Sequence, residues 1–226
     1  MNDHQLRCAV KNKILARYAK DPDTRIVDEL GLRHGAARVD IAVVNGIIHG
    51  YELKSDKDNL KRLPHQIQIY GSVLDRVTLV VGIRHAREAT VLVPDWWGIK
   101  IATVGSRGAL DFESYRTARM NPSLDPLSVC KLLWRDEALT LLAELGEAER
   151  VRYKARALVY ARLAEVAALA NIQERVRRQL KSRTTWRSDP QRMLRDDLSR
   201  PEARSLDFQG LDRYADTSCK YNGRQD

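Results

Sequence analysis

The feature that most constrains the fold of this sequence is an Asn45-Gly46 pair between two runs rich in β-branched residues. Residues 38–44 (RVDIAVV) precede the pair, and residues 47–54 (IIHGYELK) follow it. Asn-Gly between such runs is the strongest short-range signal for a β-hairpin. The sequence therefore predicts two antiparallel strands here, with the neighbouring segments arranged around them.

The segments after the hairpin predict a mixed sheet. Residues 58–75 predict a helix whose main part starts at Pro64, because proline is favoured in the first helical turn. Residues 77–82 (VTLVVG) are apolar almost throughout, which is typical of a strand buried on both faces. Residues 90–93 and 99–104 predict two further short strands. A hairpin, a helix and then a buried strand indicate a mixed sheet with helical crossovers.

The character of the sequence changes after residue 105, and four parts are predicted. Residues 1–105 form the α/β core, and residues 106–126 form a connector that contains glycine and proline. Residues 127–187 predict an all-α extension that resembles a helix-turn-helix subdomain. Residues 188–226 are polar with sparse apolar positions, so a disordered tail is expected.

Composition favours a polyanionic partner. The net charge is +9, which points first to nucleic acid. No apolar run approaches the roughly 18 residues that a membrane span needs. The first residues lack the apolar segment of a signal peptide, so a cytoplasmic protein without a membrane partner is expected. Cysteines without CxxC spacing and histidines without HxxxH spacing argue against a zinc site.

Three side chains of the hairpin have the chemistry of metal-dependent phosphodiester hydrolysis. Mg²⁺ takes oxygen ligands, often carboxylates, and activates both the phosphate and the attacking water. A nearby lysine can orient that water and stabilise developing charge. Asp40, Glu52 and Lys54 supply these groups. Glu52 and Lys54 are two residues apart in a strand, so both side chains point to one face.

The length of the hairpin loop decides whether Asp40 can join them. A two-residue turn would place Asp40 and Glu52 on opposite faces of the hairpin. A three-residue loop, with Gly46 in the left-handed conformation and Val43 closing against Ile47, places both acids on one face. The hypothesis is therefore a loop of odd length or a bulge, and regular two-residue pairing would contradict the metal site.

At this point the residues resemble a known family. Asp40 followed by Glu52-Leu53-Lys54 resembles the PD-(D/E)XK nuclease superfamily, with Val39 in the place of its proline. The runs RLPHQ (62–66) and VPDWWGI (93–99) are also similar to a bacterial and phage family within that superfamily.

Three further residues extend the resemblance. Gln66 and Tyr70, spaced i, i+4 on the predicted helix, resemble the QxxxY element of the RecB-like exonuclease branch. Glu29 resembles the acid that the superfamily contributes from an upstream helix.

The resemblance implies a restriction-endonuclease-like core, dependence on Mg²⁺ or Mn²⁺, and cleavage of DNA. Repair, phage replication and anti-phage defence are all compatible settings. The implied roles are catalysis by Asp40, Glu52 and Lys54, metal binding by Glu29, Asp40 and Glu52, and support of the substrate by Gln66 and Tyr70.

Several alternatives stay open. Glu52 and Lys54 could be an ordinary ion pair on a surface hairpin, and Tyr70 could pack in the core. The chain could also be a non-catalytic DNA-binding accessory protein, with or without a protein partner, that retains the nuclease fold. A basic cluster near the end of the helical part either grips the DNA backbone or forms a solvated helix end. Its members are Arg175, Arg177, Arg178 and Lys181.

Overall fold

The computed structural model of the protein describes residues 1–183, so the predicted polar tail (188–226) lies outside the described residues. Within them, no helix has both the length and the apolar character needed to cross a membrane. The strands are β1 (Arg25–Leu32), β2 (Ala37–Val44), β3 (Ile48–Lys54), β4 (Arg76–Gly82), β5 (Gly98–Val104) and β6 (Leu110–Arg116). The helices are α1 (Asp3–Ala9), α2 (Leu63–Val73), α3 (Ala86–Leu92), α4 (Pro126–Cys130), α5 (Arg135–Glu144), α6 (Arg156–Val166) and α7 (Leu169–Ser182).

The six strands form one mixed sheet in the order β1-β2-β3-β4-β5-β6. The first three strands form an antiparallel meander, β3, β4 and β5 are parallel, and β6 is antiparallel to β5. Parallel neighbours need a crossover, and α2 and α3 provide the two crossovers. The predicted mixed sheet flanked by helices is confirmed.

The two faces of the sheet are covered unequally. The larger core cluster joins one face to α2 and to the helices from α4 to α7, through residues such as Val39, Leu142 and Leu163. The smaller cluster lies under the N-terminal segment and includes Leu6 and Tyr51. The C-terminal helices therefore share a core with the sheet.

The N-terminal segment (4–19) is helical but is not one continuous α-helix. After α1 the chain widens into a π-helical turn, Val10–Ile14, and then tightens into a 3₁₀ turn, Ala16–Tyr18. Asn2 begins α1 with a capping box, accepting from the Gln5 N–H while its own N–H donates to the Gln5 side chain. This cap sets the start of the helix that carries Arg7.

The prediction of a strand over residues 90–93 is wrong, because these residues lie at the end of α3. Val93 N donates to Ala89 O at 3.1 Å, which is a helical hydrogen bond. Val91 is 85% exposed, so the apolar run does not reflect burial. Short apolar runs do not separate helix from strand by periodicity, and here the chain continues the preceding helix.

After residue 105, two boundaries in the structure differ from the predicted ones. Strand β6 occupies part of the segment 106–126 that the sequence predicts as a connector. Most of its residues are exposed, because it is an edge strand, and it therefore lacks a clear apolar alternation. The predicted all-α extension, given as starting at residue 127, begins with α4 one residue earlier, and Gly146 follows α5 in the left-handed conformation (φ 73°).

Candidate active site

The hairpin loop has three residues, from Asn45 to Ile47, because Val44 pairs with Ile48. The predicted odd length is confirmed, although each closing residue is one position later than expected. Gly46 does not adopt the left-handed conformation, so that expectation is wrong. The Asn45 N–H donates to Ile47 O (3.0 Å), and the Ile47 N–H donates to the Asn45 side chain (3.2 Å). These two bonds close the turn without a residue at positive φ.

The loop length brings Asp40 to the position where β2 and β3 separate. Their pairing is regular as far as Ile41 and Tyr51, and the next pair in that register is Asp40 and Glu52. Beyond it β2 stays paired only with β1, and β3 only with β4. The Leu53 N–H donates to Asp40 Oδ2 at 2.8 Å, so the carboxylate replaces the strand partner that Leu53 loses.

Glu52 lies on the face of β3 that α2 covers, and its carboxylate is only 1% exposed. Tyr70 Oη lies 2.6 Å from Oε2, and Gln66 Nε2 donates to Oε1 at 2.7 Å. Lys54 Nζ contacts Oε1 at 2.5 Å from the same face of the strand. The i, i+4 pair on α2 therefore contacts the glutamate directly.

Tyr70 is fully buried, and its ring stacks on the buried Trp97 with centroids 5.9 Å apart. Burial, and then the charge of Glu52, raise the pKa of Tyr70 well above its ordinary value. The hydroxyl therefore keeps its single proton, which can be donated to Glu52 or to Arg38 O, 2.6 Å away. In this structure Tyr70 is both a core residue and a positioning group for Glu52.

Glu29 also joins this site, although it lies on β1 and not on a helix as the resemblance implies. Its backbone is left-handed (φ 55°), which costs an ordinary side chain about 1 kcal/mol and often marks a functional position. Arg38 Nε lies 3.2 Å from Glu29 Oε2. Arg7 Nη2 lies 2.8 Å from Glu29 Oε1 and 2.9 Å from Asp40 Oδ1, so one guanidinium bridges the two acids.

The pKa of the Asp40 carboxyl group is strongly raised. Burial is the largest effect, followed by the negative charge of Glu52, and together they raise the pKa of Asp40 to about 7. The Leu53 N–H, Arg7 and Lys54 act in the opposite direction but do not cancel the increase. Burial of the ionised carboxylate is thus the main cause of the increase, and a cation bound beside Asp40 would favour the ionised form.

These side chains line a cavity of about 570 Å³. Its carboxylate oxygens are the ligand type that Mg²⁺ and Mn²⁺ take. Within residues 1–183, however, no three acidic, histidine or cysteine side chains are grouped so that they could hold a metal ion. The guanidinium of Arg7 is a stand-in cation between two of the predicted ligands, Glu29 and Asp40. The carboxylates have the donor chemistry that a divalent ion takes, but in this structure Arg7 occupies the position between them.

The basic cluster predicted to contact DNA lies on α7, and most of it is engaged in ion pairs. Arg175 contacts Glu144 on α5, Arg178 Nη2 lies 2.6 Å from Glu174, and Lys181 Nζ lies 2.5 Å from Asp23. Arg177 acts electrostatically on the partly buried Asp75. A role of this cluster in DNA binding stays a prediction.

Arg7 is the residue of the site that the sequence did not indicate. It lies on α1 next to the buried Leu6, and its contacts depend on how α1 packs against the sheet. A single arginine on a helix gives no sequence signal of its own. Its role is visible only once α1 has packed against the sheet.

Fold and site together define a mixed α/β protein with a carboxylate-lined cavity where two central strands diverge. The chain belongs to the family described as Bacteriophage P4 protein cII, which matches residues 1–208. It is similar to Protein cII of Enterobacteria phage P4, with 27% identity over 124 residues, or 55% of this chain and 47% of that protein. The chain thus spans about half the length of this relative. No solved structure matches the chain. A phage relationship is confirmed, and the nuclease superfamily stays a prediction.

Proposed function

We propose that this protein is a metal-dependent DNA nuclease with a PD-(D/E)XK-like core. The observation that carries the proposal is the convergence of Asp40, Glu52 and Lys54, joined by Glu29, on one cavity. These residues come from three strands, and the odd-length loop is what puts the two central acids on the same side. An ordinary surface ion pair between Glu52 and Lys54 would be exposed, whereas this pair is buried.

Each residue has a distinct part in the proposed reaction. Mg²⁺ or Mn²⁺, when bound, would polarise the scissile phosphate and lower the pKa of the attacking water. Glu29, Asp40 and Glu52 would hold the ion, and Lys54 would orient the water and stabilise developing charge. The hydrogen bonds from α2 keep the Glu52 carboxylate oriented, which preorganises the site.

The rim of the cavity suits a phosphate backbone. Arg38, Arg62 and His65 line it and are exposed. Cationic side chains around an acidic centre allow a polyanion to approach carboxylates that would otherwise repel it. The net charge of +9 adds long-range attraction for DNA.

The test is cleavage of labelled single- and double-stranded DNA with Mg²⁺ or Mn²⁺. Lys54→Met and Asp40→Asn should lower the rate by about 10²- to 10³-fold, the loss expected when a transition-state contact is removed. Lys57→Met and Asp136→Asn are matched controls, because both side chains are exposed and lie outside the cavity. Equal rates in the wild type and in both cavity variants would rule out hydrolysis at this site.

A second candidate is a non-catalytic DNA-binding protein that keeps the same fold. The bridge made by Arg7 favours it, because Glu29 and Asp40 are already paired with a cation of the chain itself. Such a protein would bind DNA with strong salt dependence and would release no cleaved product with either metal. The same preparation therefore distinguishes the two functions.

A further inference from the structure

A second cavity opens on the opposite face of the sheet and has a very different character. It has a volume of about 400 Å³ and is lined by residues from β2 to β6 and from the 3₁₀ turn after α1. Val43 and Tyr51 line it and also belong to the smaller core cluster, which identifies the face. Strand β3 therefore contributes Glu52 to one cavity and Tyr51 to the other.

The charges around this cavity are of one sign. Four cationic residues line it, and none of its lining residues within the described part of the chain is acidic. Among the four, the part of the chain that the structure describes provides an ion pair for Arg116 alone, with Asp95 at 3.3 Å. The other three cations are Arg17, Arg76 and Lys100.

Two of these cations have unused hydrogen-bonding capacity. Arg76 Nε is buried and has no hydrogen-bond partner among residues 1–183. Within the same residues, the one hydrogen bond of Lys100 Nζ is a long contact of 3.4 Å to Ser114 Oγ. A buried donor without a partner is unfavourable, so a ligand that accepts hydrogen bonds would stabilise this arrangement.

The floor of the cavity supplies neutral hydrogen-bonding groups. His49 Nε2 lies 2.9 Å from Thr78 Oγ1, and the imidazole stacks on Tyr51 with centroids 4.4 Å apart. Burial, followed by the charges of Arg76 and Arg17, lowers the pKa of His49 to about 4. The imidazole is therefore neutral at pH 7, and the cations face a floor without negative charge.

We propose that this basic cavity binds a phosphate group, held by Arg76 and Lys100 with Arg17 at the rim and the hydroxyls of Thr78 and Ser114 completing the set. Guanidinium, ammonium and hydroxyl donors converging without a carboxylate are the chemistry of phosphate recognition. The phosphate can come from a mononucleotide or from a DNA backbone. Because Glu52 lies on the opposite face of β3, a phosphate bound here is not the one proposed to be hydrolysed.

The experiment is calorimetric titration of the full chain in EDTA with three probes: inorganic phosphate, a deoxynucleoside 5′-monophosphate and a short single-stranded DNA. Arg76→Gln and Lys100→Gln should each weaken binding by about tenfold or more, the loss typical of one charge-assisted hydrogen bond. Arg107→Gln removes the same charge from an exposed loop position and should have a much smaller effect. Because EDTA removes the divalent metal that the proposed nuclease would need, phosphate binding measured in this way does not depend on cleavage, and the two proposals can fail separately.

The probes also distinguish the sources of the phosphate. Binding of the nucleotide and of free phosphate would identify a small-molecule site, whereas binding of DNA alone would identify a backbone contact. Thermal unfolding of each variant verifies the fold, and Lys100→Gln remains informative if Arg76→Gln is unstable. Absence of binding by all three probes at millimolar concentration, or equal losses in Arg107→Gln and the cavity variants, would overturn the proposal.

Discussion

Replacing Arg7 by methionine should strengthen the binding of a divalent cation in the acidic cavity. The guanidinium contacts Glu29 and Asp40 at 2.8 and 2.9 Å, and the three side chains are 22%, 28% and 20% exposed. A hydrogen bond between charged groups contributes about 1.5–3 kcal/mol, and partial exposure favours the lower value. An incoming ion has to replace two such contacts, which together contribute about 3 kcal/mol. This energy corresponds to a roughly 100-fold weaker affinity for the ion.

The assay is titration of the metal-free protein with Mn²⁺, followed by the electron paramagnetic resonance of the free ion. It should be made at about pH 9, because Arg7 lowers the pKa of Asp40 and its removal favours the protonated acid. Allowing for solvation of the displaced guanidinium, we expect Arg7→Met to bind about 10- to 100-fold more tightly than the wild type. Arg17→Met is the matched control, because Arg17 does not line this cavity. Equal affinities in the wild type and Arg7→Met would refute the idea that Arg7 stands in the position of the metal.

Four further predictions concern the same region. Because the pKa of Asp40 is raised to about 7, Mn²⁺ affinity should increase as pH rises through 7. The folded state holds this proton more tightly than the unfolded state, so the free energy of unfolding should decrease as the pH is raised from 4 to 7. Urea titrations should show a smaller decrease in Asp40→Asn. Tyr70→Phe removes a donor from buried Glu52 and should lower the free energy of unfolding by about 1.5–3 kcal/mol, measured by urea; an unchanged value would contradict the assigned contact. Gly50→Ala should lower the free energy of unfolding by about 1–3 kcal/mol, because the added Cβ would lie 2.6 Å from a buried leucine side chain. Gly46→Ala is the control, because its Cβ would lie in open space, and thermal unfolding should show almost no change for it.

The parts of the fold that follow from local patterns could be predicted from the sequence. The hairpin follows from Asn45-Gly46, and β4 follows from the apolar run 77–82. The face shared by Asp40 and Glu52 follows from the two-residue period of strands together with an odd loop. Each of these inferences needs only residues that are close in the sequence.

The remaining features depend on contacts between distant segments. Arg7 reaches the site because α1 packs against the sheet. Glu29 lines the cavity with a left-handed backbone, and no sequence pattern predicts that conformation. Strand β6 is an exposed edge, so its pairing with β5 is not encoded in an apolar alternation. Burial of Glu52 is likewise a tertiary effect, because a glutamate in a hairpin ordinarily faces solvent.

Strand β3 is the wall between the two cavities, and this restricts how the family can change in length. Its alternate residues face opposite sides, so deleting or inserting one residue within β3 before Tyr51 would exchange the sides of all that follow. Such a change would turn Glu52 toward the basic cavity and Tyr51 toward α2, disabling both cavities together. Relatives that retain either cavity should therefore keep the number of residues in β3 constant, while insertions collect at the exposed turns outside it.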